Sequence, residues 1–193
     1  MKLKEKLRPY NIILASASPR RKQLLTDLGL DFTICSTDID ETFPIHLKEK
    51  EIALYLAEQK ANAFSQLKIN DLIITCDTIV WHDSMALEKP TTKTEAHNML
   101  NKLSAATHKV ISAVCIKTLE KKKLFFDSTE VTFRTLSEDE IDYYIDRFKP
   151  FDKAGAYGIQ EWIGLIGIEK INGSYTNVVG MPMEKLYKNL IQF

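Results

Sequence analysis

Net charge is missing from this chain: 26 Lys and Arg balance 26 Asp and Glu over 193 residues. No global field draws it to nucleic acid or to an anionic membrane, so any anion site must be local. Cysteine is scarce. Cys35, Cys76 and Cys115 are odd in number and lack the close paired spacing of a zinc site. Each lies in an apolar segment, which reads as core thiols in a reducing compartment. No apolar run approaches the ~18 residues needed to cross a bilayer. The charged stretch Met1 to Lys6 is followed only by the run Ile12 to Ala15, too short for the apolar region of a signal peptide. The expectation is a cytoplasmic protein without nucleic-acid or membrane partners. Repeats, linkers and low-complexity tracts are lacking, and no Gly-rich segment ends in Gly-Lys-Ser/Thr, which excludes a P-loop.

What is present is an ordinary globular composition, 45% hydrophobic and 27% charged, in a length that suits one domain over residues 1–193, built as two tightly joined lobes. The most informative stretch is Ser16 to Lys22. It follows the short apolar strand Asn11 to Ala15 and opens a helix whose Leu24, Leu25 and Leu28 recur at helical spacing before Gly29. Ser18 is the expected N-cap and Pro19 the first helical residue. Arg20, Arg21 and Lys22 therefore crowd the positive end of a helix, at a cost of roughly 0.3–1 kcal/mol each. Two readings are open: a solvated basic turn, or a phosphate cradle whose ligand offsets that cost.

Farther on, Asp31 to Cys35 alternates as a half-buried strand and runs into the acidic loop Asp38 to Glu41. An amphipathic helix is expected from Lys48 to Leu67, carrying Lys60 as a solvated or snorkelling lysine. Asp71 to Thr78 reads as a strand ending in the carboxylate of Asp77, at the kind of edge where α/β folds gather ligands, although an Asp there is as often a cap or turn residue. The strand pattern continues through Trp81 to a turn at His82 to Ser84. Thr92 caps a helix from Lys93 to Leu103. Two long β runs, Lys109 to Thr118 and Leu124 to Leu136, flank the charged turn Leu119 to Lys123 and predict a hairpin. Ser137 to Glu140 is a capping box opening a helix that Pro150 stops. The small residues of Asp152 to Gln160 permit close backbone approach to a ligand. Gly164 to Ile171 is strand-like, Gly173 to Asn177 reads as a turn, and Pro182 starts a last helix from Met183 to Leu190. His46 and His108 read as surface or packing residues, and Trp81 and Trp162 as packing residues. The fold class is α/β: a central mixed, twisted sheet flanked by helices, with two lobes around a deep cleft.

Ser16-Ala17-Ser18-Pro19-Arg20-Arg21 resembles the signature of the Maf family of nucleoside triphosphate pyrophosphatases. Asp38 to Glu41, Glu58 to Ala61, Cys76 to Thr78, Glu88 to Pro90, Asp152 to Gln160 and Gly173 to Pro182 resemble further blocks of that family, in its order. The resemblance covers about residues 10 to 190. It implies a homodimeric α/β enzyme that cuts a nucleoside triphosphate between the α- and β-phosphates with a divalent metal, Mg²⁺ or Mn²⁺. By that resemblance Ser16, Arg21, Lys60 and Lys89 bind phosphate, Glu41 and Asp77 hold the metal, and Asp77 is the catalytic proton acceptor. An ordinary aspartate is a weak base at neutral pH, so orienting water suits such a residue as well as deprotonating it.

Arg20, Thr78 and Gln160 stand at the positions that separate the family's branches, and they resemble the dTTP/UTP branch. Gln160 offers both a donor and an acceptor, matching the carbonyl and imide N–H edge of a pyrimidine. Two other functions stay open: a non-catalytic nucleotide-binding regulator of cell division, and a pyrophosphatase for modified purine triphosphates. Two turns depart from the family pattern. Ala105-Ala106 stands where a Gly-containing turn is common, and His82 to Met85 lacks the usual Gly.

Overall fold

Residues 2–36 and 39–193 are described by a computed structural model of the chain; Thr37 and the expected loop residue Asp38 lie outside them. The apolar runs assemble into one seven-stranded mixed sheet. Its strands are β1 (Asn11–Leu14), β2 (Thr33–Ile34), β3 (Asp71–His82), β4 (Met85–Leu87), β5 (Thr107–Lys117), β6 (Lys122–Phe133) and β7 (Ile168–Asn172). The order is β2-β1-β3-β5-β6-β7, with β4 folded back on the far end of β3. β1 runs parallel to β2 and β3, and the remaining pairs are antiparallel. This is the mixed α/β sheet expected, hairpin included.

β3 is the axis of the molecule because it is buried on both faces, with Leu72, Ile73, Ile74, Thr75 and Cys76 at 0% exposure. Its period of two sorts these side chains. Leu72, Ile74 and Cys76 pack with α1 (Lys2–Leu7), α2 (Pro19–Asp27) and α8 (Met183–Gln192). Ile79, from the odd-numbered set, packs with Ile52, Ala53, Leu56 and Ala57 of α3 (Lys50–Asn62) on the opposite face. A third cluster joins Val80, Val110, Val131 and Phe133 to α4 (Lys93–Leu103), α5 (Glu138–Phe148) and α6 (Trp162–Gly167). Each fully buried Leu or Ile contributes about 1.5–3 kcal/mol against exposure.

Caps set the helix starts much as the residues suggest. Ser18 accepts from the Arg21 N–H, Thr92 from Glu95, and Ser137 with Glu140 forms the full capping box. Gly29 follows α2 at φ 77, the left-handed conformation that glycine tolerates. Five expectations are corrected. α1 was not anticipated: Leu3 and Leu7, four apart, are buried against the last helix. α3 stops at Asn62 rather than Leu67, since beyond it only Phe64 and Leu67 carry an apolar pattern and neither is buried. The strand expected from Gly164 is a helix as far as Gly167, because Ile163 and Gly167, four apart, face the core while Leu165 is 80% exposed. Gly173 to Asn177 is not merely a turn but leads into α7 (Tyr175–Val179). Cys35 is exposed, beyond the end of a two-residue β2 that is itself exposed, whereas Cys76 and Cys115 are core thiols as expected. Among the described residues, no helix is long and apolar enough to cross a membrane.

Candidate active site

Parallel pairing of β1 with β3 builds the site. Leu14 is in register with Ile74, and the Ala15 N–H continues the ladder to the Ile74 carbonyl. The chain leaving β1 therefore delivers Ser16 and the first turn of α2 beside Asp77 and Thr78. A cavity of about 590 Å³ opens there, and its lining includes Ser16, Arg20, Arg21, Glu41, Lys60, Asp77, Thr78, Lys89 and Gln160. All nine residues singled out in the sequence thus share one cavity, although they come from six separate segments.

The strand's alternation divides them into two groups. On the α3 side, the Thr75 hydroxyl donates to the Ala57 carbonyl at 2.6 Å and locks α3 onto β3. One turn farther along α3, Lys60 Nζ lies 2.5 Å from Asp77 Oδ1 and 2.8 Å from Glu41 Oε1. Lys89 Nζ reaches the other Glu41 oxygen at 3.0 Å. Burial works against ionisation of Glu41, but hydrogen bonds and charge from Lys60 and then Lys89 override it and hold its carboxyl at about 2. Burial likewise opposes the Lys60 charge, and Asp77 and Glu41 outweigh it, so the ammonium is held above its usual range. Lys60 is thus an anchored cation, not a solvated or snorkelling lysine.

On the other face, Arg21 is held by neutral oxygens. Its Nε donates to the Gly180 carbonyl at 3.0 Å, Nη1 to Ser16 Oγ at 3.2 Å and Nη2 to Thr78 Oγ1 at 3.1 Å. A guanidinium fixed this way keeps its charge for a ligand. Arg20 instead pairs with Asp152 at 2.9 Å. The basic stretch is therefore divided: one arginine has a protein counter-charge, and the other is aimed but not neutralised by these contacts.

Several contributors carried no individual signal in the sequence. Asn177 is fully buried on α7, where its amide accepts from the Ser112 N–H at 3.2 Å and donates to the Val110 carbonyl and Thr129 Oγ1, both at 2.9 Å. These bonds fix the segment ending at Gly180, the carbonyl that holds Arg21. Ser112 also meets Thr78 Oγ1 at 2.8 Å. Lys153, 8% exposed, sits between Asp152 at 2.6 Å and Glu161 at 3.1 Å. The Gly and Asn residues of these blocks mark turns in sequence, but which polar atoms they satisfy is invisible until the sheet is paired. His108 is a packing residue, stacked on Phe133 and hydrogen-bonded to Tyr157 at 2.7 Å.

Asp77 lies in the middle of β3, not at its end as expected, because the strand runs on to His82. A mixed α/β sheet that brings an aimed arginine from the helix after β1 and a lysine-bridged carboxylate pair to one cavity defines a protein built to handle a polyanion. The chain belongs to the Maf family: the model for "Maf-like protein" matches residues 11–193. A Flavobacterium johnsoniae protein named dTTP/UTP pyrophosphatase is 53% identical over 189 residues, covering 97% of both chains. A Bacteroides fragilis protein of the same name is 50% identical over 185 residues, covering 95% of this chain and 96% of its own. Among solved structures, a HAM1 protein from Coxiella burnetii superposes with a TM-score of 0.52 over 95% of this chain and 100% of that one. At 16% identity, that likeness concerns the fold alone.

Proposed function

We propose that the protein hydrolyses dTTP and UTP to the monophosphate and pyrophosphate. The observation that carries this reading is the Glu41–Lys60–Asp77 bridge, set one residue along β3 from the Thr78–Arg21 contact. It puts carboxylate chemistry and phosphate-holding cations at adjacent positions of one cavity, in a chain closely similar to enzymes of that name.

Ser16 and Arg21 hold phosphate oxygens on one face, and Lys60 and Lys89 bring charge from the other. Arg21 enters with its fork already oriented, so less conformational freedom is lost when substrate binds. Water attacks the α-phosphorus, the bond to the α,β-bridging oxygen breaks, pyrophosphate leaves with the electron pair, and the proton the water gives up passes to solvent. Asp77, 7% exposed, accepts a hydrogen bond from that water and orients it.

The donor set also fits a divalent metal. Glu41 and Asp77 are hard oxygen donors, and their joint hold on the Lys60 ammonium supports reading the point where they converge as a place for positive charge. Mg²⁺ or Mn²⁺, held by Glu41 and Asp77, would supply Lewis acidity that offsets phosphate charge and lowers the pKa of water. Arg20, Thr78 and Gln160 select the pyrimidine. Of these, the Thr78 hydroxyl is already engaged by Arg21 and Ser112, so its influence runs through the phosphate end as well. The working protein is taken as a cytoplasmic homodimer, as the family likeness implies.

The test is an assay of purified protein with Mg²⁺, with Mn²⁺ and with chelator, against the common NTPs and dNTPs, measuring pyrophosphate and monophosphate separately. Metal-dependent pyrophosphate from dTTP and UTP is expected. Orthophosphate in its place means attack at the γ-phosphorus and defeats the mechanism. Higher kcat/KM on purines moves selectivity to another branch, and binding without turnover identifies a regulator.

A further inference from the structure

Behind the cavity wall runs a line of polar contacts that the reaction itself does not require. Tyr144, fully buried on α5, accepts the Gly158 N–H at 3.0 Å and donates to a Glu161 carboxylate oxygen. The other Glu161 oxygen takes Lys153 Nζ at 3.1 Å. That ammonium is 2.6 Å from Asp152 Oδ1, and Asp152 Oδ2 receives Arg20 at 2.9 Å. The line therefore begins on the loop that carries Gln160 and ends on Arg20, joining two of the three positions to which base selection falls. The cavity lining takes in Arg20, Gly158 and Gln160 but neither Tyr144 nor Glu161.

The backbone around Gln160 is gripped from both sides. A Cβ on Gly158 would meet the Glu161 carboxyl carbon at 2.8 Å, and one on Gly164 would meet the Ile159 carbonyl oxygen at 1.9 Å. The exposed Gln160 side chain is thus borne on a segment with little freedom of its own. An ammonium as buried as that of Lys153 needs both its carboxylates, so loss of Glu161 would redirect it wholly to Asp152 and alter the hold on Arg20.

We propose that Tyr144 and Glu161 are positioning residues for base selection, fixing Gln160 through the Gly158 backbone and Arg20 through Lys153 and Asp152. The inference rests on the dTTP/UTP reading above. Tyr144→Phe removes one hydroxyl and keeps the ring that stacks on Phe148. In the folded variant, KM for dTTP and UTP should rise about 2- to 10-fold, the range expected for loss of the neutral hydrogen bond from the Gly158 N–H, which is the link that reaches Gln160, with kcat falling less than KM rises. The UTP to CTP ratio of kcat/KM should fall by the same factor.

The decisive arm is Tyr144→Phe combined with Gln160→Ala. If Tyr144 acts through Gln160, most of its effect on selectivity disappears in the double variant, and what remains is the share carried through Glu161 to Arg20; losses that multiply in full mark a role independent of Gln160. Glu161→Gln, which keeps a partner for Tyr144 but removes the charge facing Lys153, should lower the same ratio, and it carries the test if Tyr144→Phe does not fold. Unchanged selectivity in the folded variants, an equal loss of kcat on every nucleotide, or losses that multiply in full overturn the proposal. A wild type that releases no pyrophosphate from dTTP or UTP defeats the functional reading and this inference with it; an active wild type with unaffected variants defeats the inference alone.

Discussion

Lowering the pH from 7 to 5 should cost the folded protein about 2 kcal/mol through His108 alone. The ring is 2% exposed, stacked 5.7 Å from Phe133 and edge-on to Tyr157 at 5.4 Å. Its Nε2 has the Tyr157 hydroxyl, but Nδ1 is buried without a hydrogen-bond partner among the described residues. Burial, with a smaller push from His82, therefore holds the imidazole at about 3, against 6.5 for a free histidine. Because the folded value is the lower one, the unfolded chain takes up a proton that the folded chain refuses. The contribution of His108 is fully present above pH 6.5 and is lost as pH falls from there toward 3. Each unit is worth about 1.36 kcal/mol, so the 1.5 units between 6.5 and 5 give about 2 kcal/mol, and the whole window about 5. Total stabilities of ~5–15 kcal/mol make this a large term. Glu41 and Glu140, both held at about 2, add acid sensitivity only below the ordinary carboxylate value of 4.5, which leaves the interval from 6.5 to 5 clear of them. Urea midpoints by circular dichroism at pH 7.5, 6 and 5, for wild type and His108→Gln, isolate the effect. Wild type should lose stability steeply across that range and the variant much less. Parallel loss in both would refute the argument.

Other expectations concern the site and two turns. Asp77→Asn should abolish pyrophosphate release, by 10³-fold or more on the general scale of such losses, while nucleotide binding measured by calorimetry persists; full activity would remove Asp77 from the chemistry. Arg21→Lys keeps the charge but cannot reproduce the three-way hold on Gly180, Ser16 and Thr78, so kcat/KM should fall about 10- to 100-fold; a variant within twofold of wild type would show that point charge suffices. Asp83 and Ser84 join β3 to β4 at φ 47 and 62, both left-handed, so Ser84→Gly should stabilise the protein by about 1 kcal/mol, read as a raised Tm. An unchanged or lowered Tm would count against strain at that turn.

Local rules were most legible where one residue satisfies one backbone group. Ser18, Thr92 and the Ser137–Glu140 box cap the helices they were expected to open. The glycine-poor turns show the opposite limit. Ala105 adopts φ 54 without being glycine, because Leu103, Ala106 and Arg134 backbone atoms fix its turn from both sides. The segment from Gly164 misled because an apolar run shows no period that separates a short buried helix from a strand; burial of Ile163 and Gly167 decided for helix.

By itself, the sequence determined the class of the fold and the place of the main strands and helices, since these follow from periodicity and capping, while the set of residues that gather in the cavity was legible only through the resemblance to the Maf family. The tertiary structure decided which side of β3 each acts on. Adjacent residues of a strand point to opposite faces, so Asp77 meets Lys60 on α3 while Thr78 meets Arg21 and Ser112 across the sheet. That division rests on contacts between residues far apart in the chain, such as Arg21 with Thr78, 57 apart, which exist only once β1, β3 and β5 are in register, and the buried line from Tyr144 reaches Arg20 only through Asp152, 132 residues away.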